Sequence, residues 1–118
     1  MIVIYHNPNS VSENHSLEIL ETSKHKQEHI KYEDKLLDEE KLGKIIDILR
    51  INPIELIRTE HRIWKDNFQD LLDSGHEFSD TDYVNIMIEY PKLIERPIVI
   101  NGRKAVIGKP PKKIFNII

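Results

Sequence analysis

The chain opens on Ile2-Val3-Ile4-Tyr5, a short apolar run stopped by the turn-forming residues Asn7-Pro8-Asn9, and this predicts a central strand buried on both faces. Ser12, Glu13 and Asn14 then precede Leu17, Ile19 and Leu20, so a helix is expected from near Ser10–Ser12 to about Ser23. His29-Ile30-Lys31-Tyr32 alternates polar and apolar residues. It reads as a second strand, parallel to the first through a right-handed crossover. From Asp38 onward, Leu42, Ile45, Ile46 and Leu49 recur at spacings of three and four on one helical face. Asn52-Pro53 starts a short helix through Leu56 and Ile57, with Arg58 near its end. Further helices are expected over about Ile63–Leu72, broken by Ser74-Gly75, and over Asp80–Tyr90, whose stripe is Val84, Met87 and Ile88.

After Pro91 the period returns to that of strands. Pro97-Ile98-Val99-Ile100 and Ala105-Val106-Ile107 flank Asn101-Gly102, the signature of an antiparallel hairpin. Gly108-Lys109-Pro110-Pro111 then opens a terminal helix whose Ile114, Phe115 and Ile118 are expected to cover the sheet. The order is β-α-β, a helical block over about 38–90, then β-β-α. With 118 residues there is room for one core, so a single domain over 1–118 is expected.

Composition narrows the function classes. Seventeen basic and 20 acidic residues give a formal charge of −3, which favours neither nucleic acid nor an anionic membrane. Apolar runs fall short of a membrane span, and the first one reaches His6-Asn7-Pro8-Asn9 too soon for a signal peptide, so a cytoplasmic location is expected. There is no cysteine. Disulfides, thiolate nucleophiles and cysteine-ligated metals are thereby excluded from this chain. His25 and His29 have a helical metal-pair spacing but straddle a helix-to-strand connection and lack a third ligand, so no metal site is assigned. Trp64 and Phe68, also at helical spacing, read as packing, and the mixed charges of Asp38–Lys44 as a solvated face.

Four groups of residues carry a resemblance. His6-Asn7-Pro8-Asn9-Ser10 is similar to the catalytic loop of the arsenate reductase family, where an Asn-Pro-x-Cys motif ends the first strand and opens the first helix. Leu56-Ile57-Arg58 and the run from Leu93 through Arg96-Pro97 to Gly102 follow in the family's order, as does Ile107-Gly108-Lys109-Pro110-Pro111. The resemblance implies a thioredoxin-like mixed four-stranded sheet with a helical insertion. It also implies glutaredoxin- and glutathione-coupled reduction of arsenate to arsenite, with no bound cofactor. By position Arg58 and Arg96 resemble two of the family's three oxyanion-binding arginines, and Lys109 stands at the third. Pro97 matches a residue that is cis in thioredoxin-like folds, and Asn7 and Pro8 match the residues that shape the loop.

The departures are as informative. Ser10 occupies the cysteine position, Glu13 replaces a serine and Asn14 replaces an arginine. A serine hydroxyl is hardly ionised at neutral pH and cannot cycle through a disulfide. Ser10 by itself is also an ordinary helix N-cap, Arg58 a complement to its helix dipole, and Arg96 a partner for a surface acid. The expectation is therefore a family member disabled for redox chemistry. Two alternatives stand beside it: a non-enzymatic regulator or adaptor, since Spx-like proteins that bind bacterial RNA polymerase share this fold, and a weak oxyanion binder using the helix N-terminus with Arg58, Arg96 and Lys109. The expected partners are accordingly a small oxyanion or a protein, not DNA.

Overall fold

A computed structural model of the chain describes residues 2–6, 17–21, 27–31 and 38–118. They fall into two compact units: a sheet unit, Met1–Leu36 with Arg96–Ile118, and a helical unit, Leu37–Glu95.

The sheet unit holds β1 (Ile2–His6), a helical segment at 17–21 (α1), β2 (Gln27–Lys31), β3 (Ile98–Asn101) and β4 (Lys104–Ile107). Strand order is β2-β1-β3-β4, so β1 is central as expected. It pairs in parallel with β2, Ile4 opposite His29, and antiparallel with β3, Ile4 opposite Val99. Ile2 and Ile4 are fully buried, in one cluster with Leu20, Val99, Ile114 and Ile117. Val3 and Tyr5, on the opposite face of the pleat, are half-buried, so β1 is fully covered on one face rather than on both.

Two local expectations shift in phase. Asn101 pairs with Lys104, so the two-residue hairpin loop is Gly102-Arg103 rather than Asn101-Gly102. Gly102 takes φ +63° while Arg103 keeps a negative φ, which matches the type II′ requirement for glycine at the first loop position. Asn101 stays in the strand, and its side-chain amide donates to the Ile117 carbonyl. The terminal helix is a 3₁₀ helix, Pro111–Asn116. With three residues per turn, Ile114 and Ile117 face inward, whereas Phe115 and Ile118 do not cover the sheet and stay exposed.

The helical unit contains α2 (Glu39–Leu49), a 3₁₀ turn (Pro53–Leu56), a composite helix (Arg62–Asp73), α5 (Asp80–Glu89) and a second 3₁₀ turn (Pro91–Leu93). Asp38 caps α2 by accepting from the Lys41 N–H at 2.7 Å, and Leu42, Ile45 and Ile46 are buried as their spacing predicts. Lys44 pairs with Glu40 on the exposed face of α2. Arg50 ends that helix in the left-handed conformation, φ 56°. Asn52 and Glu55 form a capping box around the Pro53 turn. The composite helix is not regular: α3 (Arg62–Trp64) passes into a π segment (Lys65–Gln69) before α4 (Asp70–Asp73).

Trp64 is fully buried, 5.3 Å from Phe68 and 6.4 Å from Tyr83 by ring centroids, which is packing. On α5 the buried residues are Val84, Ile86 and Met87, while Ile88 is half-buried. This helix packs against α2 and both 3₁₀ turns, so more than one stripe is covered. The block is not wholly helical either, since Ile57 and Ile94 form an isolated antiparallel bridge. Among the described residues no helix is long and apolar enough to cross a membrane.

Candidate functional site

Arg96 and Pro97 lead into β3, and Gly108 and Lys109 lead out of β4. The Gly108 N–H donates to the Pro97 carbonyl at 2.8 Å, one step beyond the last hairpin pair, Ile98 opposite Ile107. That bond brings Arg96 and Lys109 to the same end of the sheet unit. β1 ends there too, because Tyr5 pairs with Ile98 and His6 is the last strand residue. Arg96 is half-buried, Pro97 and Gly108 are buried, and Lys109 is exposed. The backbone therefore fixes where the two residues leave the sheet, through buried, paired groups.

The Arg96-Pro97 bond is cis, as the resemblance implies. The Lys109-Pro110 bond is cis as well. Sequence reasoning missed the second, because an X-Pro pair alone carries only a slight preference either way. Each of these two cationic residues thus immediately precedes a cis proline.

Arg58 lies in the helical unit. Its N–H donates to the Leu93 carbonyl at 2.7 Å, and the Glu95 N–H donates to the Leu56 carbonyl at 2.7 Å, which straps the residue beside the Ile57–Ile94 bridge. Its guanidinium makes a long hydrogen bond, 3.4 Å, to the Lys92 carbonyl within the second 3₁₀ turn. A cation there complements exposed carbonyls, a role that helix-end arginines commonly serve. Ser10, Asn7, Pro8, Glu13 and Asn14 lie outside the described residues. His25 does too, and only the backbone of His29 is described.

A concavity of about 310 Å³ in the helical unit is lined by Glu39, Ile46, Asp47, Pro53, Asp80 and Val84 among others, and none of the sequence-predicted site residues borders it. Nearby, the Ser79 N–H donates to the Asp82 carboxylate at 2.8 Å, and the Asp82 N–H donates back to the Ser79 hydroxyl at 3.1 Å. The Ser79 N–H, and after it the Ser79 hydroxyl, hold the Asp82 carboxyl below its ordinary value, with a smaller contribution from His76. This is a helix cap.

A family model described as the ArsC family matches residues 5–117. The chain belongs to the ArsC family. It is 33% identical over 118 residues to an arsenate reductase of Haemophilus influenzae, covering 99% of this chain and 98% of that protein. It is 32% identical to YfgD, an uncharacterized protein of Escherichia coli, covering 99% and 96%. The solved structure of an arsenate reductase from Vibrio cholerae superposes with a TM-score of 0.86 at 32% identity, covering 99% of this chain and 97% of the other. The thioredoxin-like fold of the family, a mixed sheet with a helical insertion, is that of this chain. The ArsC match extends over residues 7–10, so this family member carries Asn7-Pro8-Asn9-Ser10 and no cysteine anywhere in its 118 residues.

Proposed function

We propose that this ArsC-family chain has lost the family's thiol-dependent reduction of arsenate to arsenite. The observation that carries the reading is the absence of cysteine from a chain matched to the family over nearly its whole length. Reduction by a thiol requires a sulfur that is arsenylated and then released by a second thiol. The Ser10 hydroxyl supplies neither a thiolate nor a route through a disulfide. Thiol-coupled reductase assays with glutaredoxin and glutathione, run on the chain and on Ser10→Cys, test this. The chain should show no arsenate-dependent oxidation of reductant above background. Robust turnover by the unaltered chain overturns the proposal.

A second reading, weak oxyanion binding without chemistry, is supported by the hydrogen bond that brings Arg96 and Lys109 to one end of the sheet unit. Lysine offers a point charge where arginine offers a two-pronged grip, so attraction is retained better than orientation. Glu13, three positions after Ser10 in the sequence, adds a negative charge that opposes anion binding on this reading. Phosphate, sulfate or arsenate should shift amide resonances near Pro97 and Gly108 in the chain and less in Arg96→Ala. Equal shifts in both remove the support for a site.

A further inference from the structure

Four large hydrophobic side chains are exposed among the described residues: Leu71 at 47%, Leu72 at 37%, Phe115 at 59% and Ile118 at 36%. They form two pairs, and the charges around the pairs are opposite. Leu71 and Leu72 sit between Asp70 and Asp73, and Asp66 before them pairs with Arg62 at 3.2 Å. Phe115 and Ile118 sit beside Lys112 and Lys113, in a stretch from Arg96 to Ile118 that has six basic residues and no acidic one. Single exposed hydrophobics are ordinary on a protein surface, whereas apolar surface rimmed by charge is where contacts form.

Local geometry turns each pair outward. Leu71 and Leu72 follow Trp64 by seven and eight residues, a spacing that in an uninterrupted α-helix would put them on the buried face with it. The π segment Lys65–Gln69 inserts extra backbone per turn and rotates α4 relative to α3, and it is held by the Trp64 indole N–H donating to Gln69 at 2.9 Å. The leucines leave the core in consequence. At the other patch the three-residue repeat of the 3₁₀ helix puts Lys112, Phe115 and Ile118 in one row, opposite the buried Ile114 and Ile117. The Asn101 amide bonded to the Ile117 carbonyl ties the hairpin tip to this segment, which adds the exposed Arg103 and Lys104 to the basic surround.

We infer that the chain associates with a second copy of itself, the acidic Leu71-Leu72 patch of one copy seating on the basic Phe115-Ile118 patch of the other. Each patch offers what the other requires: apolar surface at the centre and the opposite charge at the rim, the usual anatomy of a specific protein contact. Rim charges of this kind set orientation and encounter rate, and they weaken as salt rises.

Sedimentation velocity on the full chain tests the inference through charge reversal. The mass should rise above the 13.9 kDa of one chain as concentration increases, and fall back toward it in ~0.5 M salt. In the Lys112→Glu/Lys113→Glu chain carboxylates stand beside both apolar pairs, and in the Asp70→Lys/Asp73→Lys chain ammonium groups do, so each should stay monomeric. Mixed in equal amounts they should associate, because unlike charges then meet at the contact; this also shows that both variants are folded. Phe115→Ser should weaken association of the parent by about tenfold or more. A parent that is monomeric at every concentration, or that associates equally well with Lys112→Glu/Lys113→Glu in place, overturns the inference. Capture of an Asp-Leu-Leu-Asp peptide by a monomeric parent would overturn it too, by giving the basic patch to a different protein.

Discussion

The phase of the C-terminal 3₁₀ helix decides which of its side chains stabilise the sheet, and truncating neighbours one residue apart measures it. Ile114 is fully buried in the cluster of Ile2, Ile4, Leu20, Val99 and Ile117, whereas Phe115 is 59% exposed. Ile114→Ala removes three buried carbons at about 0.8 kcal/mol each, and adding the cavity left behind brings the loss to roughly 2–5 kcal/mol. Phe115→Ala, although it deletes more atoms, should stay within about 0.5 kcal/mol, because most of what it removes already meets water. Urea unfolding followed by circular dichroism reads both, at a protein concentration below any self-association and with the slope against urea unchanged. A loss of ~3 kcal/mol should lower the midpoint of thermal unfolding by on the order of 10 °C. If Phe115→Ala costs as much as Ile114→Ala, the helix has an α rather than a 3₁₀ phase, and the assignment of Phe115 to the surface is refuted.

The helical unit supplies two more expected outcomes. The pKa of Asp82 is held below the ordinary aspartate value of about 3.9 by Ser79, so its stabilising contribution is complete above that value and is lost as pH falls through the lower folded-state value; Asp82→Asn should flatten the dependence of stability on pH below about 4, and an unchanged acid limb would refute the linkage. Arg50 takes φ 56° at the end of α2, where glycine has no steric penalty, so Arg50→Gly should stabilise the chain by about 0.5–1 kcal/mol in the same urea assay, and a loss would show that the arginine side chain contributes more than its backbone costs.

How much was legible in the sequence depends on how local each signal is. β1, the hairpin strands and the helices at Glu39–Leu49 and Asp80–Glu89 rest on hydrophobic period and capping residues within one element, and they stand close to where the pattern puts them; β2 begins two residues earlier than expected, at Gln27, and the expected start of the first helix lies outside the described residues. The phase errors arose where a different helix type reuses the same residues. Ile114, Phe115 and Ile118 suit an α repeat, and only the 3₁₀ geometry exchanges Phe115 and Ile118 for Ile117 as core. In the same way Leu71 and Leu72 fit an α-helix that continues from Trp64, and the π segment takes them out of it. Asn101-Gly102 is a common loop pair, but Asn101 is used in the strand to hold Ile117, which moves the loop on by one residue. At the candidate site, Arg96 and its cis proline were legible through the family resemblance, whereas the Gly108–Pro97 hydrogen bond that brings Lys109 to the same end is a tertiary contact with no sequence signal of its own.

That hydrogen bond also bears on how an ArsC-family chain can part with its thiol and keep its fold. The bases of Arg96 and Lys109 are set by β3 and β4, by the bond between Gly108 and Pro97, and by Ile98 and Val99, both fully buried. None of these groups is a cysteine. Replacing a thiol by a hydroxyl removes a nucleophile and a redox couple. On the proposed loss of reduction, the missing sulfur and the placement of Arg96 and Lys109 are therefore separable, because that placement rests on the backbone of the sheet unit alone.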